Sequence, residues 1–484
     1  MLRQLNILLE EFSTCFSRFA AFKWFVTIVV GFIVRLDMRG LTSLVRCMNL
    51  CPKLYETMLH FFRADSWSLG NLHRHWVNII CKYCPVVSFK GYTVLVGDGI
   101  KVSKEAKKMP AVKKLHQESE NSGKASYILG HHFGFIGILA GNLRKYFCIP
   151  VSAEIHEGVE EIYQFRDQKS KNKAGTDKDS VVTRMLLMAK RITGYLSKAC
   201  ILVLDAYYAT GPAFKIAAGS VDKNGNQLLH IITRAKKNTV AYEDPKPRTG
   251  RRGRPPVRGG RVVLVDLFAK LADKFQPLSL NIYGKSTSLS YLCLDLIWRP
   301  VMKKVRFVLV KNGPDTCILM STNLELLPYE IIQLYSYRFK IEVAFKELKH
   351  RIGSFFYHFW THAMPKLNKN GTRDFSTVIN QHQQELIVKA AKAIEGFVNI
   401  GCISIGLLQM LAINFSKNIW GGYTGWLRTK TSEIPSEDTV RSVLQQEFYH
   451  NFCNYSDTAI FKIIRTKQRK HTYLYGDECA DEAV

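Results

Sequence analysis

Acidic residues are what this sequence is short of. Against 68 Lys+Arg stand 40 Asp+Glu, a formal net charge of +28 over 484 residues. Self-repulsion on that scale excludes the near-neutral surface usual for a monomeric metabolic enzyme and favours a partner that carries many phosphates. Cysteine is sparse too, 12 residues without regular spacing. That excludes a disulfide scaffold and leaves reduced cytosolic thiols as the expectation. Cys47, Cys51, Cys81 and Cys84 offer four thiolates for a structural zinc, but the knuckles lack the usual glycines and lie among helix-like apolar residues. Apolar runs of bilayer length are nearly missing. Phe19 to Val34 is interrupted by Lys23, leaving 11 apolar residues, short for a span. Val398 to Phe415 is long enough, yet Asn399, Gln409 and Asn414 within it argue for a helix buried in protein, so no membrane is expected as a partner. Internal repeats and Ser or Cys nucleophile motifs are absent as well.

What is there suits a multidomain globular protein. The length predicts about three domains, and 47% hydrophobic against 22% charged residues excludes wholesale disorder. Residues 1–90 read as a helical domain with an aromatic cluster at Phe61, Phe62, Trp67 and Trp76, either docking on DNA ends or simply packing. At Tyr92 the texture turns to YTVLVGDGI, a β-rich run that stops on Asp98 between two glycines. A basic stretch follows, then apolar segments with glycine breaks through Ile149, a charged loop at 166–180 and a helix from Val181 to Leu196. The apolar run CILVLDAYY, ending on Asp205, has the pattern of a strand buried on both faces. Residues 91–210 are therefore expected to form the first part of an α/β core.

Short strand candidates crowd residues 211–326, which read as a β-rich insertion. Within it, residues 245–261 (PKPRTGRRGRPPVRGGR) carry Arg251, Arg252 and Arg254 in a loop with seven basic side chains and no acid. The Arg-Gly-Arg-Pro core is similar to an AT-hook for a narrow minor groove; a non-specific phosphate-binding loop explains it as well. Residues 327–370 return to helix and the core, and 371–484 read as a helical region suited to dimerisation.

The informative segment is Leu334 to Arg351, LYSYRFKIEVAFKELKHR. On one helix, at about 100° per residue, Tyr335, Arg338, Glu342 and Lys349 share an arc of roughly 60°. A salt-bridged solvated face would explain Arg338 and Glu342 as an ordinary i, i+4 pair, but not the company of Tyr335 and Lys349. A carboxylate flanked by phosphate-binding cations suits phosphodiester cleavage, where carboxylates hold hard cations. One Glu is insufficient. Asp98 and Asp205, at the ends of two strand-like runs, supply the others, with Asp266 and Asp295 as alternatives to the second.

The spacing Tyr335-x2-Arg338-x3-Glu342-x6-Lys349 resembles, without a gap, the Y-x2-R-x3-E-x6-K signature of bacterial insertion-sequence transposases of the IS-four family. The order Asp, Asp, β-rich insertion, Glu is similar too, with 107 residues from Asp98 to Asp205 and 137 from there to Glu342. The resemblance covers roughly Tyr92 to Gly353. It implies an RNase H-like α/β catalytic core interrupted by a β-rich insertion, with helical N- and C-terminal regions. It further implies that Asp98, Asp205 and Glu342 are catalytic and bind two Mg²⁺ ions, with Mn²⁺ as a substitute. Tyr335, Arg338, Lys346 and Lys349 would contact DNA phosphates. Trp298 is a candidate acceptor for a flipped base, or else a core residue. The implied activity is cut-and-paste transposition on double-stranded DNA, at terminal inverted repeats and target, by a homodimer in a synaptic complex in the bacterial cytoplasm. A nuclease without strand transfer and an inactive DNA-binding derivative are the competing readings. His131-His132 read as structural or phosphate-contacting, since a hard-cation site prefers oxygen, and His358-x3-His362 has helical ligand spacing but an aromatic setting that favours packing.

Overall fold

The computed structural model describes residues 1–117, 123, 125–142, 145–167, 180–245, 256–282, 285–427, 432–453 and 458–469. The chain opens with helices α1 (Leu2–Glu10), α2 (Phe19–Val34), α3 (Thr42–Cys47), α4 (Leu54–Arg63) and α5 (Leu69–Tyr83). Strands β1 (Ser88–Phe89), β2 (Tyr92–Ser103), β3 (Lys113–His116), β4 (Tyr127–Asn142) and β5 (Lys145–Ile155) follow, then helices α6 (Glu160–Asp167) and α7 (Val181–Leu196). Next come β6 (Cys200–Val203), α8 (Gly211–Ala218), β7 (Leu229–Arg234), β8 (Val240–Tyr242), β9 (Arg261–Val263) and α9 (Leu267–Lys270). Strands β10 (Gln276–Ile282), β11 (Lys285–Trp298), β12 (Lys303–Asn312) and β13 (Asp315–Ser321) precede α10 (Pro328–Ser336) and α11 (Phe339–Glu347). Helices α12 (Gln381–Asn414), α13 (Ser416–Gly422), α14 (Glu437–Cys453) and α15 (Ala459–Arg465) are the last among the described residues. It forms two compact units, one of Met1–Val86, Gly99–Lys178 and Val343–Val484, the other of Val87–Asp98 and Asp179–Glu342.

The first unit is built around α12. Its most apolar 18 residues are 94% buried, and the three polar residues singled out above each have a partner. Asn399 exchanges two hydrogen bonds with the Ala153 backbone of β5, accepting at 2.9 Å and donating at 2.7 Å. Gln409 donates to Glu437 Oε1 at 2.9 Å, and Asn414 donates to the Tyr83 carbonyl at 2.7 Å. Asn399 and Gln409 are buried, and buried amides keep their place only with such partners. The expected glycine breaks before Ile149 are not breaks, because β4 and β5 pair as a long antiparallel hairpin. The glycines give room instead. A Cβ at Gly134 would lie 1.9 Å from the His156 ring, and one at Gly137 2.4 Å from the Cys148 sulfur. Nor is the last third helical throughout: Gly353 to Asn380 is mostly irregular, so His358 and His362 do not have helical spacing.

In the second unit, β2 pairs in parallel with β6, and β6 in parallel with β7. The sheet continues antiparallel through β13, β12 and β11. The strands of residues 211–326 thus extend the sheet that holds β6. Helix α7 has the bounds its pattern predicts, capped by the Ser180 hydroxyl, which accepts from Thr183 N–H at 3.2 Å. The RVVLVDLF run keeps only three residues of strand before turning into a 3₁₀ turn and α9. The charged stretch 166–180 lies almost wholly outside the described residues.

Thiol chemistry departs from expectation at one position. Cys51 is disulfide-bonded, while Cys47, Cys81 and Cys84 are free thiols. A four-thiolate zinc site is therefore not formed, and Cys47 instead lies 3.4 Å from the Tyr449 hydroxyl.

Candidate active site

The site grows from strand register. In the β2–β6 ladder Val96 lies opposite Val203. Asp98 and Asp205 each follow two residues later, Asp205 still extended at φ −81 and ψ 178. Side chains repeat every second residue, so the two aspartates emerge on one face of neighbouring strands, whose backbones lie about 4.8 Å apart. The expectation that the first run stops on Asp98 is corrected: β2 continues to Ser103, and it is the β6 ladder that ends beside Asp98. Gly97 allows this packing, since a Cβ there would lie 2.8 Å from the Leu204 side chain.

Each carboxylate is held. Asp205 Oδ1 accepts from the Tyr207 N–H at 3.0 Å and starts the 3₁₀ turn Ala206–Tyr208. Tyr208, at the end of that turn, is buried; burial and then the charges of Asp98 and Asp205 raise its pKa well above the usual value, so the phenol stays protonated. Asp98 accepts from Arg338 Nη1 at 2.9 Å, and the other terminal nitrogen of the same guanidinium pairs with Glu342. One arginine thus ties together carboxylates 244 residues apart in sequence. Asp98 is only 17% exposed and Glu342 is 53% exposed, so the glutamate end opens to solvent. Burial works against the Arg338 charge, yet the Asp98 and Glu342 carboxylates raise its pKa above the ordinary value.

The single helix expected over Leu334 to Arg351 is interrupted. Tyr335 is in α10, Arg338 in a tight turn with i→i−3 bonds (Arg338 N–H to Tyr335 O, 3.0 Å), and Glu342 in the first full turn of α11. Lys349 lies in a π-helical turn, Leu348–Ile352. The common arc is therefore not that of one regular helix. Tyr335 is half-buried, its pKa pushed up to about 12 by burial. Lys346 and Lys349 are exposed. Arg251, Arg252 and Arg254 lie outside the described residues. Trp298 is buried, its ring centroid 4.8 Å from that of Phe214, in a packing position. Of the alternative acids, Asp295 is held by Arg306 at 2.6 and 2.8 Å and Asp266 by Lys270 at 3.1 Å. Neither belongs to the β2–β6 ladder.

Residues 11–274 match a family described as DDE superfamily endonuclease. That is more than half of the chain. The protein belongs to this family. No curated protein matches the chain.

Membership makes the protein an enzyme of the nuclease class, with DNA as the substrate the family implies and divalent metal as its usual requirement. The mixed α/β sheet is consistent with a DDE nuclease fold. Among the described residues no three His, Cys, Asp or Glu side chains are grouped to hold a metal ion. The donors nonetheless fit in kind. Asp98, Asp205 and Glu342 offer oxygen, which hard divalent cations prefer, and a positive charge, that of Arg338, is what lies between Asp98 and Glu342.

Two neighbouring histidines are accounted for structurally. His131 is buried, bound through Nδ1 to the Tyr357 hydroxyl at 2.6 Å and through Nε2 to the Pro110 carbonyl at 2.7 Å. Burial lowers its pKa to about 3, so it is neutral. His132 Nδ1 is 2.7 Å from Glu157, and Lys113 3.3 Å from the other oxygen of that carboxylate. The His132 hydrogen bond is the largest cause of a Glu157 pKa of about 2. The Glu157 and Tyr208 contacts had no signal in the sequence.

Proposed function

We propose that the protein is a DNA transposase of the IS-four type: metal-dependent cleavage at terminal inverted repeats, then strand transfer of the 3′-hydroxyl into target DNA. The observation that carries this reading is the alignment of Asp98 and Asp205 on adjacent parallel strands, with Glu342 linked to Asp98 through Arg338. The strand order β2-β6-β7, with β6 and β7 parallel to β2, supports an RNase H-like core. The later strands would be its elaboration.

In this reading Asp98, Asp205 and Glu342 hold two Mg²⁺ ions, or Mn²⁺ in their place, and the ions supply activation of the attacking oxygen and stabilisation of the leaving one. Arg338 has a double role. Without DNA it neutralises Asp98 and Glu342; when a phosphate arrives, the guanidinium turns to it, since a bidentate phosphate contact suits that group. Asp98 and Glu342 would then be free to serve as metal ligands. Tyr335, Lys346 and Lys349 bind backbone phosphates, as do Arg251, Arg252 and Arg254. A homodimer would hold two ends together in a synaptic complex, on bacterial chromosomal DNA in the cytoplasm.

The test is a supercoiled plasmid carrying the inverted repeats that flank the gene. With Mg²⁺ the expected products are end-specific breaks and joined target DNA, both lost on chelation. Breaks without joining would identify a nuclease that does not transfer strands, and breaks indifferent to chelator would overturn the metal site.

A further inference from the structure

The first unit gathers cations that the carboxylate chemistry does not use. A cavity of about 490 Å³ is lined among others by Arg18, His60, Arg63 and Lys389, with Asp65 as its one acid. Asp65 is already paired with Lys392 at 3.1 Å. Arg18, Arg63 and Lys389 form no ion pair among the described residues. Arg63 reaches only the Trp360 carbonyl, at 3.4 Å, and its Nε is buried without a hydrogen-bond partner. An acceptor entering the cavity would satisfy such a donor. Lys467 adds to the charge: its ammonium lies 4.1 Å from the centroid of the Trp24 ring, which lines the same cavity. Lys467 is only 9% exposed and makes no side-chain hydrogen bond or ion pair among the described residues. Burial and then the Lys23 charge lower its pKa to about 8, a penalty that an anion nearby would offset.

From this we infer that the cavity is a docking site for the phosphodiester backbone of double-stranded DNA, one phosphate entering among Arg18, Arg63 and Lys389. A cleft lined by one sign of charge focuses its field, and the substrate implied by the family carries the complementary charge all along its length. The lining rings take no part in recognition, since Trp24 and Phe61 are buried, with Lys467 over one and Trp67 stacked on the other. Phosphates protrude from a duplex, whereas base edges are read by an element that enters a groove. A recess of this size admits the phosphate and not the duplex, so the contact is blind to sequence. The inference rests on DNA as the substrate but not on the cutting chemistry, because the first unit contains none of Asp98, Asp205 and Glu342.

The experiment uses the full chain in EDTA, where no cutting occurs, and fluorescence anisotropy over a series of NaCl concentrations. Two labelled duplexes of about 30 base pairs serve as probes, one with the inverted repeat and one of unrelated sequence. The R18A/K389A double variant should bind both about tenfold more weakly at about 100 mM salt. Its slope of log affinity against log salt should be shallower by about two, one for each phosphate-facing charge removed. R18K/K389R, which keeps the charges, should stay within about twofold of wild type, and circular dichroism checks that each variant folds. Wild-type affinity and slope in R18A/K389A overturn the inference. A loss confined to the inverted repeat also overturns it, since a backbone contact cannot tell the two duplexes apart. Competition by about 20 mM inorganic phosphate beyond matched chloride, felt by wild type alone while both proteins bind DNA equally, would make the free anion the occupant and overturn the backbone reading. In an Asp98→Asn background, which cannot cut, the same two substitutions should cost the same factor, so failure of the cutting chemistry leaves this site standing. No binding to either probe overturns both.

Discussion

Two clusters of polar side chains, one in each unit, differ in how fully their polar atoms are buried. In the first unit, His131 has both ring nitrogens engaged and Lys104 donates to the Phe355 carbonyl at 2.5 Å beneath the Tyr357 ring. His131 and Tyr357 are fully buried and Lys104 is partly so. In the second unit, Asp98 and Glu342 are joined by one guanidinium whose Glu342 end is open to solvent. The Glu342 contact, exposed on the carboxylate side, can be exchanged for a phosphate at little cost, whereas the Asp98 contact, mostly buried on both sides, costs more to break. Histidine is the commonest proton-transfer group of enzyme sites, yet here it is the carboxylates that keep the freedom to react.

The comparison breaks most readily at the aspartates. Asp205→Asn should lower the rate of plasmid cutting about a thousandfold or more while leaving the melting temperature nearly unchanged, as expected for a group that acts through a metal. Cutting at the wild-type rate would move the site elsewhere. His131→Phe should do the reverse: cutting persists in the folded fraction, and stability at pH 7.5 falls by about 2–3 kcal/mol as Tyr357 and Pro110 lose their partner. The pH dependence has a definite sign. With a folded pKa of about 3 against an unfolded value of about 6.5, the wild-type His131 contribution is complete above pH 6.5 and is lost as pH falls toward 3. Urea melts should therefore show the gap between variant and wild type narrowing in acid.

Arg338→Gln sharpens the other side. Freed of the guanidinium, Asp98 and Glu342 should bind Mn²⁺ about tenfold more tightly in the absence of DNA, read by water-proton relaxation, while affinity for DNA falls. Unchanged Mn²⁺ affinity would show that the arginine does not compete for those oxygens. The smallest effect belongs to Lys346→Ala and Lys349→Ala. Each should weaken DNA binding by about 1 kcal/mol or less and lower the salt slope by about one, uniformly across sequences.

Much of this was legible in the residues. The uniform apolar run before Asp205 has the pattern of a strand buried on both faces, and Cys200–Val203 is such a strand. The helix read from Val181 to Leu196 has those bounds in the structure, where the Ser180 hydroxyl caps its start. The Arg338–Glu342 pair follows from spacing, but the Asp98 bond of the same arginine does not, since nothing local says what a side chain meets across 240 residues. Helical periodicity also carried past the Tyr337–Arg338 turn, because apolar spacing reports which side is buried and is insensitive to a few i→i−3 bonds. Glycines in β4 misled for a related reason: their effect depends on His156 and Cys148, partners that only the folded sheet brings near. Trp298 takes the second of its two readings, that of a core residue, with Phe214 as its neighbour in space.

The parallel β2–β6 pairing has a consequence for biogenesis. Thr93 waits for Cys200, more than a hundred positions downstream. At about 5–20 residues per second that delay is about 5–20 s, during which β2 has emerged without β6. Nascent chains of this protein should therefore depend on chaperones near the ribosome, and truncation before Cys200 should give insoluble product.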